Sequence, residues 1–160
     1  MLRFFSFLAL LLCLSACGPD FIYEKKYNLE GAAWKYSDTL RFDFAIEDSA
    51  RIYNLYLEVT HATDYKFQNI YTRIFTTFPA GQRIEEVLSL ELTEKGASWL
   101  GKCSSGVCRL RIPIQEGAYF DQEGQYAITL EQYMRNSPVQ GIESIRFLLE
   151  QTKDKRTPTH

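Results

Sequence analysis

The chain has 160 residues, a formal net charge of −2, 46% hydrophobic and 24% charged side chains. That length supports a single domain with a sizeable core. Basic and acidic residues are scattered rather than gathered into one basic face, which excludes a nucleic-acid footprint.

In chain order, the first element is an export signal. Arg3 precedes an apolar run from Phe4 to Leu14, closed by the small residues Ser15 and Ala16. The run is shorter than the roughly 20 residues a spanning helix needs, and its charge and cleavage pattern are those of a secretory signal. Leu14-Ser15-Ala16-Cys17 resembles the bacterial lipobox. Residues 1–16 are therefore read as a lipoprotein signal peptide, with Cys17 the acylated first residue of the mature chain. Cys13 competes for that role, but bulky Leu12 stands before it. An ordinary signal peptide with an incidental cysteine is the plainer alternative. Several acyl chains hold a protein stably at a membrane, at about 0.8 kcal/mol per buried methylene. Gly18 after the cysteine, where an aspartate would signal inner-membrane retention, points to the outer membrane. The absence of a dense acidic run beyond it favours the periplasmic face.

Residues 17–150 read as one lipid-anchored β domain. Leu40, Phe42, Phe44 and Ile46 share a face, and so do Tyr53, Leu55, Leu57 and Val59. "FQNIYTRIFTTF" is apolar on both faces and reads as an interior strand. "RIEEVLSLELTEK" has a helical alternative, but the Leu88, Leu90, Leu92 alternation fits a strand better. Leu110, Ile112 and Ile114 repeat the period, followed by Tyr126, Ile128 and Leu130, then Ile145, Phe147 and Leu149. Such strands are half-buried and antiparallel, and turn signals separate them. The fold class is all-β, an antiparallel β-sandwich of jelly-roll or Ig-like type. Pro113 belongs at an edge or a bulge, because it donates no ladder hydrogen bond. The polar stretch 151–160 reads as a disordered tail.

Cys103 and Cys108 lie in "GKCSSGVCRLRI". In an exported chain this pair reads first as a disulfide around a hairpin tip. Free thiols and a metal site are the alternatives, the latter weakened because neither His61 nor His160 forms a ligand spacing with them. No cofactor motif, nucleophile elbow or phosphate loop is present. His61 reads as a surface group closing a strand, and Glu85 and Glu86 point to opposite faces of theirs. An enzyme is not expected.

Aromatic residues are the remaining resource: Trp34, Trp99, Tyr65, Tyr71, Tyr119, Tyr126 and Tyr133. Most such rings pack cores and corners. Tyr133 lies opposite the inward set of its strand, so Tyr133, Met134 and Arg135 are the candidate partner-binding surface. A row of exposed rings would favour sugar, and a broad mixed patch a protein.

Taken in order, Cys17, "FIYEKKYNLEGAAW", "FQNIYTRIFTTFPAG", "LTEKGASWLGKCSSG" and "GQYAITLEQYMRNSPVQGIESIRFLLE" resemble the gliding-motility lipoproteins of the GldH family. The resemblance spans nearly the whole mature chain, but the cysteine pair is not carried over from it. It implies an outer-membrane lipoprotein needed for surface gliding, with protein partners in the gliding and associated secretion apparatus, and no catalytic residues. A carbohydrate-binding β-sandwich lipoprotein is the alternative function.

Overall fold

The computed structural model describes residues 19–94 and 98–156. The signal segment and Cys17 lie outside the described residues. Eight long strands carry the fold: β1 (Phe21–Asn28), β3 (Leu40–Ile46), β4 (Arg51–Ala62), β5 (Asn69–Thr77), β6 (Arg83–Glu91), β10 (Val107–Ala118), β11 (Gly124–Gln132) and β13 (Ile142–Lys155). Between them lie short strands: β2 (Ala33–Trp34), β7 (Thr93–Glu94), β8 (Ser98–Trp99), β9 (Lys102–Ser104) and β12 (Val139–Gln140).

The alternation in each strand sets which residues can be buried, and pairing then sets the layers. One sheet runs β1-β13-β4-β10-β9 and the other β3-β11-β5-β6. All the pairs are antiparallel. The eight long strands pass between the sheets so that first, last, third and sixth form one layer and second, seventh, fourth and fifth the other. That interleaving is a jelly roll, which resolves the choice between jelly-roll and Ig-like sandwiches.

The inward faces meet in an aromatic core. Phe147 of β13 packs on Phe42 at 5.4 Å and Phe44 at 5.6 Å, both from β3 in the facing sheet. Tyr126 stacks on Phe44 from the neighbouring β11. The inward residues of β4, Tyr53, Leu55, Leu57 and Val59, are all buried. In β5, Ile70, Thr72 and Ile74 face inward, while Phe75 on the outer face is covered by the Arg83 guanidinium, 3.8 Å above its ring. This accounts for the two-sided apolarity of that strand.

Pro113 meets both of its expectations. The pairing of β10 with β9 ends at Arg109, so Pro113 faces a free edge on that side, and the register with β4 shifts just after it. Cys103 and Cys108 face one another across β9 and β10 and are joined by a disulfide.

Two readings are corrected. The tail is ordered as far as Arg156: β13 continues through Gln151 to Lys155, with Gln151 opposite Tyr53 and Lys155 opposite Arg51. The start of β4 supplies backbone partners that do not require apolar side chains. Thr152 Oγ1 adds a 2.9 Å bond to the Ile52 carbonyl, and Arg156 pairs with Asp121 at 2.8 Å. Residues 157–160 of the expected tail lie outside the described residues.

His61 is the second correction, being fully buried rather than exposed. It continues the inward face of β4 and lies against Trp99 at 4.6 Å and Tyr65 at 5.8 Å. Its Nδ1 is 2.9 Å from the Ala62 carbonyl, an acceptor only, so Nδ1 carries the proton. Nε2 is sealed in with no hydrogen-bond partner. Burial therefore holds the imidazole below its ordinary pKa of 6.5, against the smaller opposing pull of the Ala62 carbonyl and Glu143. Below pH 6.5 the unfolded chain takes up a proton that the folded chain resists, so stability falls as the pH drops from 6.5 toward the folded-state value. Urea titrations across this range should show an acid-side slope of at most about 1.4 kcal/mol per pH unit, the limit for one proton. His61→Phe should lose that slope. An unchanged slope in the variant would assign it to another group.

Candidate functional site

Three of the exposed aromatics, Tyr36, Tyr71 and Tyr133, converge at one end of the four-stranded sheet. Strand β11 ends at Gln132, whose buried amide shapes the connection beyond it. Its Oε1 accepts the Met134 N–H at 2.9 Å, and its Nε2 donates to the Asn136 carbonyl at 3.4 Å. Tyr133 is thereby turned outward, its N–H bonded to the Tyr71 carbonyl at 2.7 Å. The Tyr71 N–H in turn lies 3.2 Å from the Met134 sulfur. Tyr71 itself projects outward because its neighbours Ile70 and Thr72 take the inward positions of β5.

A third ring arrives from a distant part of the chain. Val139 pairs with Trp34 and Gln140 with Ala33, which sets the turn after β2 beside the connection after β11. Buried Trp34 donates to the Asp38 carbonyl at 2.9 Å, and Asp38 Oδ2 accepts the Lys35 N–H at 3.0 Å. The turn thus held presents Tyr36, whose hydroxyl donates to the Met134 carbonyl at 2.7 Å and whose N–H donates to Ser137 Oγ at 3.0 Å. Tyr36, Tyr71 and Tyr133 are 55%, 46% and 50% exposed. All three are tied to one short segment, residues 133–137.

Charge frames the rings. The Arg73 guanidinium lies 4.5 Å from the Tyr133 ring centre, and its Nε is 3.2 Å from Glu85 Oε1, close enough for an ion pair. Arg135, two residues after Tyr133, is exposed. Of the three residues singled out in sequence, Tyr133 and Arg135 are exposed, while Met134 is half-buried and packs against the core. Met134 underlies the patch rather than forming its surface. The other candidate aromatics divide. Trp34, Tyr65 and Tyr126 are buried. Trp99 donates to the Thr63 carbonyl at 3.0 Å, and Tyr119 is exposed elsewhere beneath Arg156. The surface is a patch of tyrosine and arginine gathered around Met134.

A second concavity lies where the sheets part, between β6 and the free edge of β10. It measures about 570 Å³ and is mainly apolar, with Ile74, Ile84, Leu88, Ile114 and Phe120 in its walls. Among the described residues no group of three His, Cys, Asp or Glu side chains could hold a metal ion.

The GldH lipoprotein family matches residues 21–147. A gliding motility lipoprotein GldH homolog of Christiangramia forsetii is 25% identical over 147 residues, covering 91% of this chain and 90% of the relative. The gliding motility lipoprotein GldH of Flavobacterium johnsoniae is 22% identical over 145 residues, covering 86% and 89%. Among solved structures, TmCBM61 in complex with β-1,4-galactotriose is similar at a TM-score of 0.35 and 11% identity, covering 84% of this chain and 92% of that one. Dimeric latent PorU of Porphyromonas gingivalis gives a TM-score of 0.35 at 9% identity, covering 85% of this chain and 14% of PorU. Those two likenesses are too distant to carry any inference about ligands. The match of one family along nearly all of the described β domain, with full-length relatives of the same description, places this chain in the GldH family of membrane-anchored gliding-motility lipoproteins.

Proposed function

We propose that this protein is a non-enzymatic interaction component of the gliding machinery and its associated secretion apparatus. In this reading it is acylated at Cys17 and held at the periplasmic face of the outer membrane. The observation that carries the proposal is the tyrosine patch. Three exposed rings, gathered around Met134 by main-chain hydrogen bonds of Tyr71 and Tyr133 and by the Tyr36 hydroxyl, with Arg73 against Tyr133 and Arg135 exposed two residues on, have the composition of a protein-binding hot spot. The backbone that carries the rings is held in place before any partner arrives, which limits the ordering entropy lost on binding. The histidine of the domain is sealed in the core, where it cannot serve as an accessible base.

The test is Tyr71→Ala combined with Tyr133→Ala in a gliding host. Both side chains are exposed, so stability should change by no more than about 0.5 kcal/mol per site. Loss of hot-spot tyrosines should cost about 2 kcal/mol or more in partner affinity. Crosslinked partner should fall well below wild type while abundance stays normal, and gliding should fail with it. Normal gliding in the double variant would reject the patch. Glycan binding by the wild-type protein that disappears in the variant would replace the partner with a sugar.

A further inference from the structure

The outer face of the five-stranded sheet has a charge pattern unlike the rest of the molecule. Glu58 of β4 is nearly enclosed, with 9% of its side chain exposed, and three arginines share it. Arg111 Nη2 lies 3.3 Å from Oε2, and Arg146 Nε and Arg109 Nε lie 3.6 Å and 3.8 Å from Oε1. Glu24 offers Arg146 a second, more exposed carboxylate at 3.8 Å. Lys102 and Ser104 of β9 join Thr60, Arg109 and Arg111 around a shallow basin of about 770 Å³. Exposed Lys26 stands opposite Arg146 in the ladder. Glu150, further along the face, is engaged by Tyr56 and Asn54. On the opposite sheet, by contrast, Arg41 pairs with Asp43 at 2.8 Å and Arg73 with Glu85 at 3.2 Å, one carboxylate to each cation.

Three guanidinium groups present far more N–H donors than one carboxylate can accept, and they point outward from a sheet face. Positive charge is thus concentrated on one side of a chain whose formal net charge is −2. Such a basin is suited to phosphate groups. Its position in the chain indicates their source. Phe21, at the start of β1, lies on this same face, edge-on to Tyr56 at 6.2 Å and with the Arg111 guanidinium 5.0 Å from its ring centre. Cys17 is four residues earlier, a reach of at most about 14 Å. Ile22, 41% exposed, comes directly after Phe21.

We infer that the outer face of the five-stranded sheet is the membrane-facing side of the protein, where Lys102, Arg109, Arg111 and Arg146 engage the phosphate groups of anionic lipids in the leaflet that holds the anchor. The inference rests on the proposed acylation of Cys17 for its geometry. It is tested without acyl chains, so that the two stand or fall separately. The patch of Tyr36, Tyr71 and Tyr133 belongs to the other sheet's end of the molecule and stays available to a partner.

The mature chain carrying Cys17→Ser is sedimented with vesicles of phosphatidylcholine alone or mixed with phosphatidylglycerol. All described strands begin at Phe21 or later, so the substitution leaves the sandwich intact. Binding should require phosphatidylglycerol and weaken with salt, as screening shortens the reach of exposed charges. A basic residue at an anionic surface is worth about fivefold in affinity. Arg109→Gln with Arg111→Gln should therefore weaken binding about thirtyfold. Arg146 remains on Glu58 in that variant, so its carboxylate is not stranded. Lys102→Gln, outside the Glu58 ion pairs, should weaken binding about fivefold at unchanged melting temperature and reads the face even if the double variant is destabilised. Arg41→Gln with Arg83→Gln, on the opposite sheet, should change nothing. Equal binding to both vesicles, or an equal loss in the opposite-sheet control, would overturn the inference. Saturable binding of inorganic phosphate by the protein together with no preference between the two vesicles would also overturn it, assigning the basin to a free phosphate ligand. Labelling at Cys17 is a separate measurement, and its failure would remove the anchor while leaving the vesicle result unaltered.

Discussion

Phe147→Ala should lower the unfolding free energy by about 3–5 kcal/mol, the range for truncating a buried phenylalanine. Phe147 is fully buried in the middle of β13, and its ring contacts Tyr23 of β1 at 6.1 Å as well as Phe42 and Phe44 of β3. One side chain thus joins its own sheet to the facing one. Its loss leaves a cavity that rings on opposite layers can close only by moving backbone, and it also removes pairwise aromatic terms of about 0.5–1.5 kcal/mol each. Because domains of this size are stable by only about 5–15 kcal/mol, the variant should sit near the edge of folding. Urea unfolding of the mature chain measures the effect, with Tyr119→Ala as an exposed control expected to shift by about 0.5 kcal/mol or less. A loss below about 1 kcal/mol in Phe147→Ala would mean that the sheets do not pack through this cluster.

The faces of the strands were legible because period two is a direct consequence of backbone geometry. Leu40, Phe42, Phe44 and Ile46 alternate in sequence and are all buried in β3. Alternation says which way a side chain points but not which strand lies beside it, so jelly-roll and Ig-like orders were indistinguishable until β13 was found between β1 and β4. His61 shows a signal that was present but outweighed. It stands two residues beyond Val59 on the inward face, yet its polarity and the turn after it suggested solvent. Residues 151–155 illustrate the opposite limit. A polar strand at the end of a sheet is held by main-chain bonds and a few side-chain contacts, and these leave little mark on hydrophobic pattern.

The candidate site was only partly legible for a related reason. Tyr133 could be found from the alternation of its strand, and Tyr71 from that of β5. Tyr36 lies in a turn with no period at all. It reaches Met134 only because two-residue strands β2 and β12 pair across a long separation in sequence, one that local pattern cannot report. The Glu58 cluster is similarly non-local: its carboxylate and three guanidinium groups come from β4, β10 and β13.

Cys17→Ser should abolish incorporation of labelled palmitate and release the protein from the membrane fraction, and in a gliding host it should reduce motility close to that of a deletion. The size of the effect follows from the proposed anchor at Cys17. A single acyl chain gives only marginal attachment, with an association constant of about 10⁴ M⁻¹, whereas two or more chains make it stable. The arginine face cannot substitute, since a handful of surface cations worth about fivefold each supplies far less than the methylenes of even one additional chain. Without the anchor the tyrosine patch meets its partner from solution and loses the gain from confinement to one plane, which for linked sites reaches about 10²–10⁴. Overexpressing the unanchored variant should therefore recover motility only in part, while the acylated wild-type protein restores it at native abundance. Label retained in Cys17→Ser would move the attachment elsewhere, with Cys13 the first place to look. Full motility from a soluble variant would show that partner binding alone suffices and that confinement to the membrane is not needed for function.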